Sequence, residues 1–275
     1  MSNTLLLLAA ATLPSMAIAY WIYHQDYHEK EPAKMLLWAF LCGCASTIPA
    51  IFFQSYFIDW ENPQSLYATS LFAFLGVALT EELSKFILFR RFVYPQKDFN
   101  EPIDGIVYGV MVGLGFATLE NVMYVFNAEQ NGFSTALGRA FTAVPAHAAF
   151  GVLMGAYVGL AKFFPEKATV YTIIGVGLAV FFHGAYDFFL MQQVYEGMAI
   201  LAIFTLIWSI NMSRKLIRLG QDMSPFKPKD HNPPIVEAIV AHEVTKEIKE
   251  EIKTEIITLK PESNKDKKAE NNDFI

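Results

Sequence analysis

Strand-like alternation, a basic surface and a usable cysteine framework are all missing from this 275-residue chain. Without period-two alternation there is no case for a β-sheet, and without clustered Lys and Arg on a folded surface nucleic acid is not a partner. Cys42 and Cys44 stand one residue apart in a hydrophobic run. They are too close for an ordinary disulfide and lack a second pair for a zinc knuckle, so they read as small core residues. Charged residues make up 17% of the chain, and much of that charge follows Gly220, so the net charge of -6 says little about the rest. Also absent are H-E-x-x-H, G-x-S-x-G, an intramembrane G-x-G-D and a phosphate-cradling glycine loop, which removes the common helix-borne zinc site, the serine nucleophile elbow and nucleotide chemistry.

The chain is instead rich in apolar residues: 53% hydrophobic and 15% aromatic, above the roughly 45–50% of soluble domains. Runs long enough to cross about 30 Å of hydrocarbon as a helix occur at 4–23, 35–58, 66–92, 104–127, 136–162, 169–190 and 196–213. Gly109, Gly113, Gly115, Gly151, Gly155 and Gly159 suit close helix packing. The expected fold is all-α, a membrane helix bundle of about seven spans over 1–220. The first run resembles a signal peptide at Ala17-Ile18-Ala19, but it lacks a leading basic residue and ends in Tyr20, Trp21 and Tyr23, the interfacial anchors of a retained helix.

Lys30, Lys34, Arg90, Arg91, Lys97, Lys162, Lys167, Arg214, Lys215 and Arg218 fall in alternate loops. The positive-inside rule then places the N-terminus outside and the C-terminus in the cytoplasm. The remainder, 221–275, is a polar tail. Pro225, Pro228, Pro233 and Pro234 interrupt it, and Val236, Val240, Val244, Ile248, Ile252 and Ile256 predict an amphipathic helix over 235–258. Pro261 to Ile275 has the composition of disorder.

Four successive hydrophobic runs carry ionisable groups: Glu81, Glu82 and Lys85, then Glu120 beside Asn121, then His147, then His183 and Asp187. A charge at the bilayer centre costs at least about 2.5 kcal/mol, so such groups face one another or a wet cavity and mark function. Lys85 follows Glu81 by four and Glu82 by three, within reach of either carboxylate. Asp187 follows His183 by four and is placed to orient its ring. At about 1.5 Å per residue the groups lie at compatible depths, which predicts one cavity near the midplane or in the outer half, hydrated from outside. A carboxylate there suits general-base work on water. His147, His183 and Glu120 suit a metal such as zinc; alternatively His183 and Asn121 donate hydrogen bonds to an oxyanion. Either scheme describes amide hydrolysis.

At these residues the chain resembles the PrsW family of membrane-embedded proteases, a branch of the group that includes the type II CAAX prenyl proteases and the bacterial CPBP proteins. The likeness rests on Glu81-Glu82-Leu83-Ser84-Lys85, on Asp104-Gly105-Ile106-Val107-Tyr108-Gly109 running into Gly113 to Asn121, on His147, and on His183-Gly184-Ala185-Tyr186-Asp187. It covers about residues 66–190. The resemblance implies an intramembrane or membrane-proximal endopeptidase, seated in the lipid of a bacterial membrane, that clips membrane-anchored, single-span proteins, among them an anti-sigma factor cut on the outer side. It implies that Glu81 and Glu82 activate water, that His147 and His183 bind metal or polarise the scissile carbonyl, and that Asp187 orients His183. Glu120 completes the polar ring, standing where the prenyl proteases have histidine. Two other classes compete: a proton-coupled transporter using the same acidic and histidine residues, which the lack of a convincing internal repeat disfavours, and a non-enzymatic membrane scaffold acting through the tail around Val236–Ile256.

Overall fold

The computed structural model describes residues 2–128 and 131–227. The expected helix over 235–258 and the tail beyond 227 lie outside the described residues. Among the described residues the elements are helical: α1 (Ser2–Gln25), α2 (Ala33–Gln54), α3 (Leu66–Leu71), α4 (Leu79–Leu88), α5 (Pro102–Asn127), α6 (Gly132–Phe141), α7 (Ala143–Phe163), α8 (Ala168–Met191) and α9 (Ala199–Asp222). Six helical stretches are long and apolar enough to cross a membrane. A seventh stretch, 66–93, has the length but is divided by π-helical turns at Phe72–Ala78 and Phe89–Val93 and holds Glu81, Glu82 and Lys85.

The glycines explain the core. Gly105, Gly109 and Gly113 of α5 recur every four residues against Gly151, Gly155 and Gly159 of α7. A Cβ on Gly109 would stand 2.5 Å from the Gly151 carbonyl oxygen, and one on Gly113 would stand 2.6 Å from that of His147. Only backbones without side chains approach so closely. α5 and α7 therefore form the buried centre, with α2, α8 and α9 packed around them. Around this centre the outer faces of the bundle carry Leu5, Leu13, Ile48, Ile173, Phe204 and Trp208, all exposed. A helix apolar on its outer as well as its inner side belongs in lipid.

Two details depart from the expected spans. The run at 136–162 breaks at Thr142, whose φ of -122° and ψ of -78° leave the helix. Pro145 has no N–H to give to Phe141, so the chain restarts there and holds the proline in a first turn where none is needed. The last helix runs to Asp222 rather than 213. Arg214, Lys215 and Arg218 are polar but good helix formers, and nothing stops the helix until Pro225.

The loops gather at two ends. At one, Lys162 Nζ donates to the Tyr94 carbonyl at 2.6 Å and Gln221 Nε2 to that of Gln25 at 2.6 Å. At the other, Gln193 N donates to Pro63 O at 2.8 Å. The basic loops of the sequence lie at the first of these ends.

Candidate active site

The interrupted segment 66–93 places two adjacent glutamates on the inner wall of the bundle. π turns are rare in helices and frequent at functional sites, because the extra residue rotates the side chains beyond it. After the turn at Phe72–Ala78, Glu81, Glu82 and Lys85 are all buried. Glu82 Oε1 accepts from Lys85 Nζ at 2.7 Å and lies 2.8 Å from His183 Nδ1. Glu81 accepts from Gln54 Nε2 at 2.9 Å, while its second oxygen stands 3.5 Å from Lys85 Nζ and 3.9 Å from His183 Nε2. Of the pair, Glu81 is the more loosely held.

From α7, His147 enters beside them. Its Nδ1 lies 3.2 Å from Lys85 Nζ and its Nε2 2.9 Å from Glu120 Oε2. An ammonium can only donate, so Nδ1 accepts and the proton sits on Nε2, directed at Glu120. From α8, His183 Nε2 lies 3.2 Å from Asp187 Oδ2. Phe150 stacks on the His183 ring at 5.0 Å, and Lys85 Nζ lies 4.0 Å over Phe116.

One ligand atom from each of Glu81, Glu82, His147 and His183 lies within 4.8 Å of the others, all four residues being buried. Glu120 stands one step out. Its Oε2 accepts from Arg139 Nη2 at 2.6 Å, and it meets the four through His147. Asn121 faces away from them, giving Nδ2 to the Ala11 carbonyl and taking Arg139 Nε on Oδ1, each at 2.8 Å. A cavity of about 540 Å³ is lined by Gln54, Glu81, Glu120, Arg139, His147, His183 and Asp187. It extends to Glu61 and Met191, toward the end where Gln193 meets Pro63.

Arg139 is the partner that sequence reasoning missed, and Gln54 another. The available signal was the need of Glu120 for a countercharge inside an apolar run. With neutral imidazoles, the carboxylates of Glu81, Glu82, Glu120 and Asp187 set against Lys85 and Arg139 leave four minus two, a surplus of two negative charges. Two imidazoles, two carboxylates and that surplus fit a divalent metal ion.

Residues 31–210 match the family described as PrsW family intramembrane metalloprotease. The chain belongs to the PrsW family. It is 39% identical over 201 residues to Protease PrsW of Geobacillus kaustophilus, covering 72% of this chain and 87% of that protein. To Protease PrsW of Bacillus subtilis it is 36% identical over 185 residues, 67% and 82% of the two chains. For the Clostridioides difficile protein the figures are 29% over 208 residues, 74% and 87%. No solved structure matches. The chain is thus an integral membrane protein and a membrane-embedded endopeptidase, and the transporter and scaffold readings give way.

Proposed function

We propose that this protein hydrolyses a peptide bond of a single-span membrane protein within the 540 Å³ cavity, with Glu81 as the residue that activates water. The observation that carries this reading is the meeting of Glu81, Glu82, His147 and His183 within 4.8 Å, with Glu81, His147 and His183 lining the cavity. Glu81 lines the cavity and has a loosely engaged oxygen, whereas Glu82 is held by Lys85 and His183. A general base must reach water with a free lone pair, which favours Glu81. The proton taken from water passes to the leaving amide nitrogen. His147, His183 and Glu82 would hold a zinc ion, which supplies Lewis-acid polarisation of the scissile carbonyl when bound. Asp187 positions His183, Glu120 with Arg139 positions His147, and Asn121 braces Arg139 against α1.

The client is a membrane-anchored protein in lipid, cleaved as a step of regulated proteolysis, of which an anti-sigma factor is one example. With Lys30, Arg90, Lys97 and Lys167 at one end of the bundle, the positive-inside rule places that end and the chain's C-terminus in the cytoplasm of a bacterial cell, and the N-terminus and cavity mouth outside. A second reading rests on one contact set: Lys85 Nζ lies against Glu81, Glu82 and His147, three of the four donors. In that reading the ammonium is the resident cation and the glutamates act without metal.

Cleavage of a single-span client by the purified protein, with and without chelator, separates the two. Loss of cleavage on chelation and recovery with zinc are expected. Glu81→Gln is expected to abolish cleavage while keeping bound zinc. Chelator-resistant cleavage sinks the metal reading, and unchanged cleavage by Glu81→Gln sinks the role of Glu81.

A further inference from the structure

A second group of carboxylates lies at the other end of α5. Asp26 and Glu31 come from the loop between α1 and α2, Glu101 precedes the first turn of α5, and Asp104 stands within that turn. Their exposures are 1%, 3%, 0% and 0%. One oxygen from each of Asp26, Glu101 and Asp104 lies within 4.8 Å of the others. Glu31, outside that trio, adjoins Asp104 carboxylate to carboxylate.

Loop acids normally reach water or find a cation, and these do neither. Asp104 Oδ2 accepts the backbone N–H groups of Asn100 and Glu101 at 2.7 and 2.8 Å. Its other oxygen has no hydrogen-bond partner, nor do Oδ2 of Asp26 and Oε2 of Glu31, and the Glu101 carboxyl meets only the first-turn backbone of α5 and Ser224. The nearby ammonium groups are spent on backbone: Lys30 on the carbonyls of Tyr23 and Asp26, Lys162 on those of Tyr94 and Gln96. Among the described residues no ion pair reaches the four acids. Buried carboxylates without partners are costly and occur where they coordinate something or stay protonated.

We infer that Asp26, Glu31, Glu101 and Asp104 form a divalent-cation site separate from the catalytic cluster. Glu31 makes the case more than an acidic patch, being a fourth buried side chain that brings an unpartnered oxygen to the group. The donors are oxygen only, with no imidazole or thiolate, which selects a hard ion of the Ca²⁺, Mg²⁺ or Mn²⁺ class over zinc. Three converging carboxylates, with Glu31 against one of them, favour Ca²⁺, because Mg²⁺ keeps several waters and takes one or two. Such an ion ties the α1–α2 loop to the start of α5. The end of α9 is close as well, since Ser224 is buried against Glu101 and Gln221 bonds to Gln25. The role is structural, at about 24 Å along α5 from Glu120, sixteen residues away.

The test uses full-length protein in detergent, stripped with chelator. Tb³⁺ luminescence, excited through the protein's aromatic residues, reports binding, and the unfolding midpoint is read with Ca²⁺, Mg²⁺ or Mn²⁺ added alone. Saturable Tb³⁺ emission that Ca²⁺ displaces, with a raised midpoint, is expected. Asp26→Asn and Glu101→Gln should each weaken Tb³⁺ binding by about tenfold or more, while Glu82→Gln leaves it intact. If Glu101→Gln does not fold, Asp26→Asn and the wild-type titration still decide. No emission in the wild type overturns the inference. So does emission lost in Glu82→Gln and kept in Asp26→Asn, which assigns the ion to the catalytic cluster.

Discussion

Two buried carboxylate clusters share α5, and they differ in how their charge is answered. Around Glu81, Glu82, Glu120 and Asp187 the protein supplies its own cations, Lys85 and Arg139, together with two imidazoles. Around Asp26, Glu31, Glu101 and Asp104 the main answer is backbone N–H groups, two given to Asp104, one to Asp26 and one to Glu101. The first cluster opens on a cavity and keeps one glutamate loosely held, which suits proton transfer with a substrate. The second is closed among loops and keeps several oxygens unpartnered, which suits an ion and leaves no room for a peptide. Burial alone therefore does not mark catalysis. The marker is burial with internal compensation and one group left free.

The sharpest way to break the comparison is to remove that compensation. Glu81→Gln should lower client cleavage by about 10²–10⁴, the span of a lost acid–base group, while keeping bound zinc. Glu82→Gln should lower cleavage at least as far and should also lower bound zinc, because Glu82 holds both Lys85 and His183. Equal metal loss in both variants erases the division of labour. Arg139→Leu comes next. It leaves Glu120 without a countercharge in a site only 15% exposed, and removing one partner of a buried pair costs about 3–5 kcal/mol. A lowered unfolding midpoint with cleavage reduced, partly recovered in Arg139→Lys, is the expected pattern; a midpoint equal to wild type contradicts it.

Much of this was legible in the chain, for physical reasons. Helices must be about 20 apolar residues long to cross a bilayer, so α1, α2, α5, α7 and α8 show as runs. The four-residue glycine spacing announces the α5–α7 contact. The depths of Glu81, Glu82, His147 and His183 come from counting along helices, and those four side chains do meet. A one-dimensional reading misses compensation across space. Arg139 meets Glu120 across nineteen residues and a helix break. Asp26 and Glu101, 75 residues apart, each look like an ordinary solvated loop acid until the fold closes over them. The π turns are equally hidden, since one extra residue per turn leaves the apolar composition unchanged.

The smallest expected effect concerns pH in the oxygen-only cluster without added cation. The groups facing Glu101 are Asp26, Glu29 and Asp104, which disfavour its charge, and Ser224, which lies against its carboxyl and favours it; Lys30 acts on the neighbouring Asp26. Burial and those acids lift its carboxyl from 4.5 to about 7. A raised folded-state value means that the protonated form is favoured by folding, so its stabilisation is full below 4.5 and is lost as pH climbs through 7. Chelated protein should therefore unfold at a lower temperature at pH 8 than at pH 5.5, by about 2–4 °C for each kcal/mol lost. Added Ca²⁺ should remove that difference, because deprotonation then prepares ligands instead of leaving bare charge. In Glu101→Gln the slope should flatten with or without Ca²⁺. If that variant keeps the full wild-type slope, the titrating group lies elsewhere in the loops, and the contrast between the two clusters loses its proton-linked half.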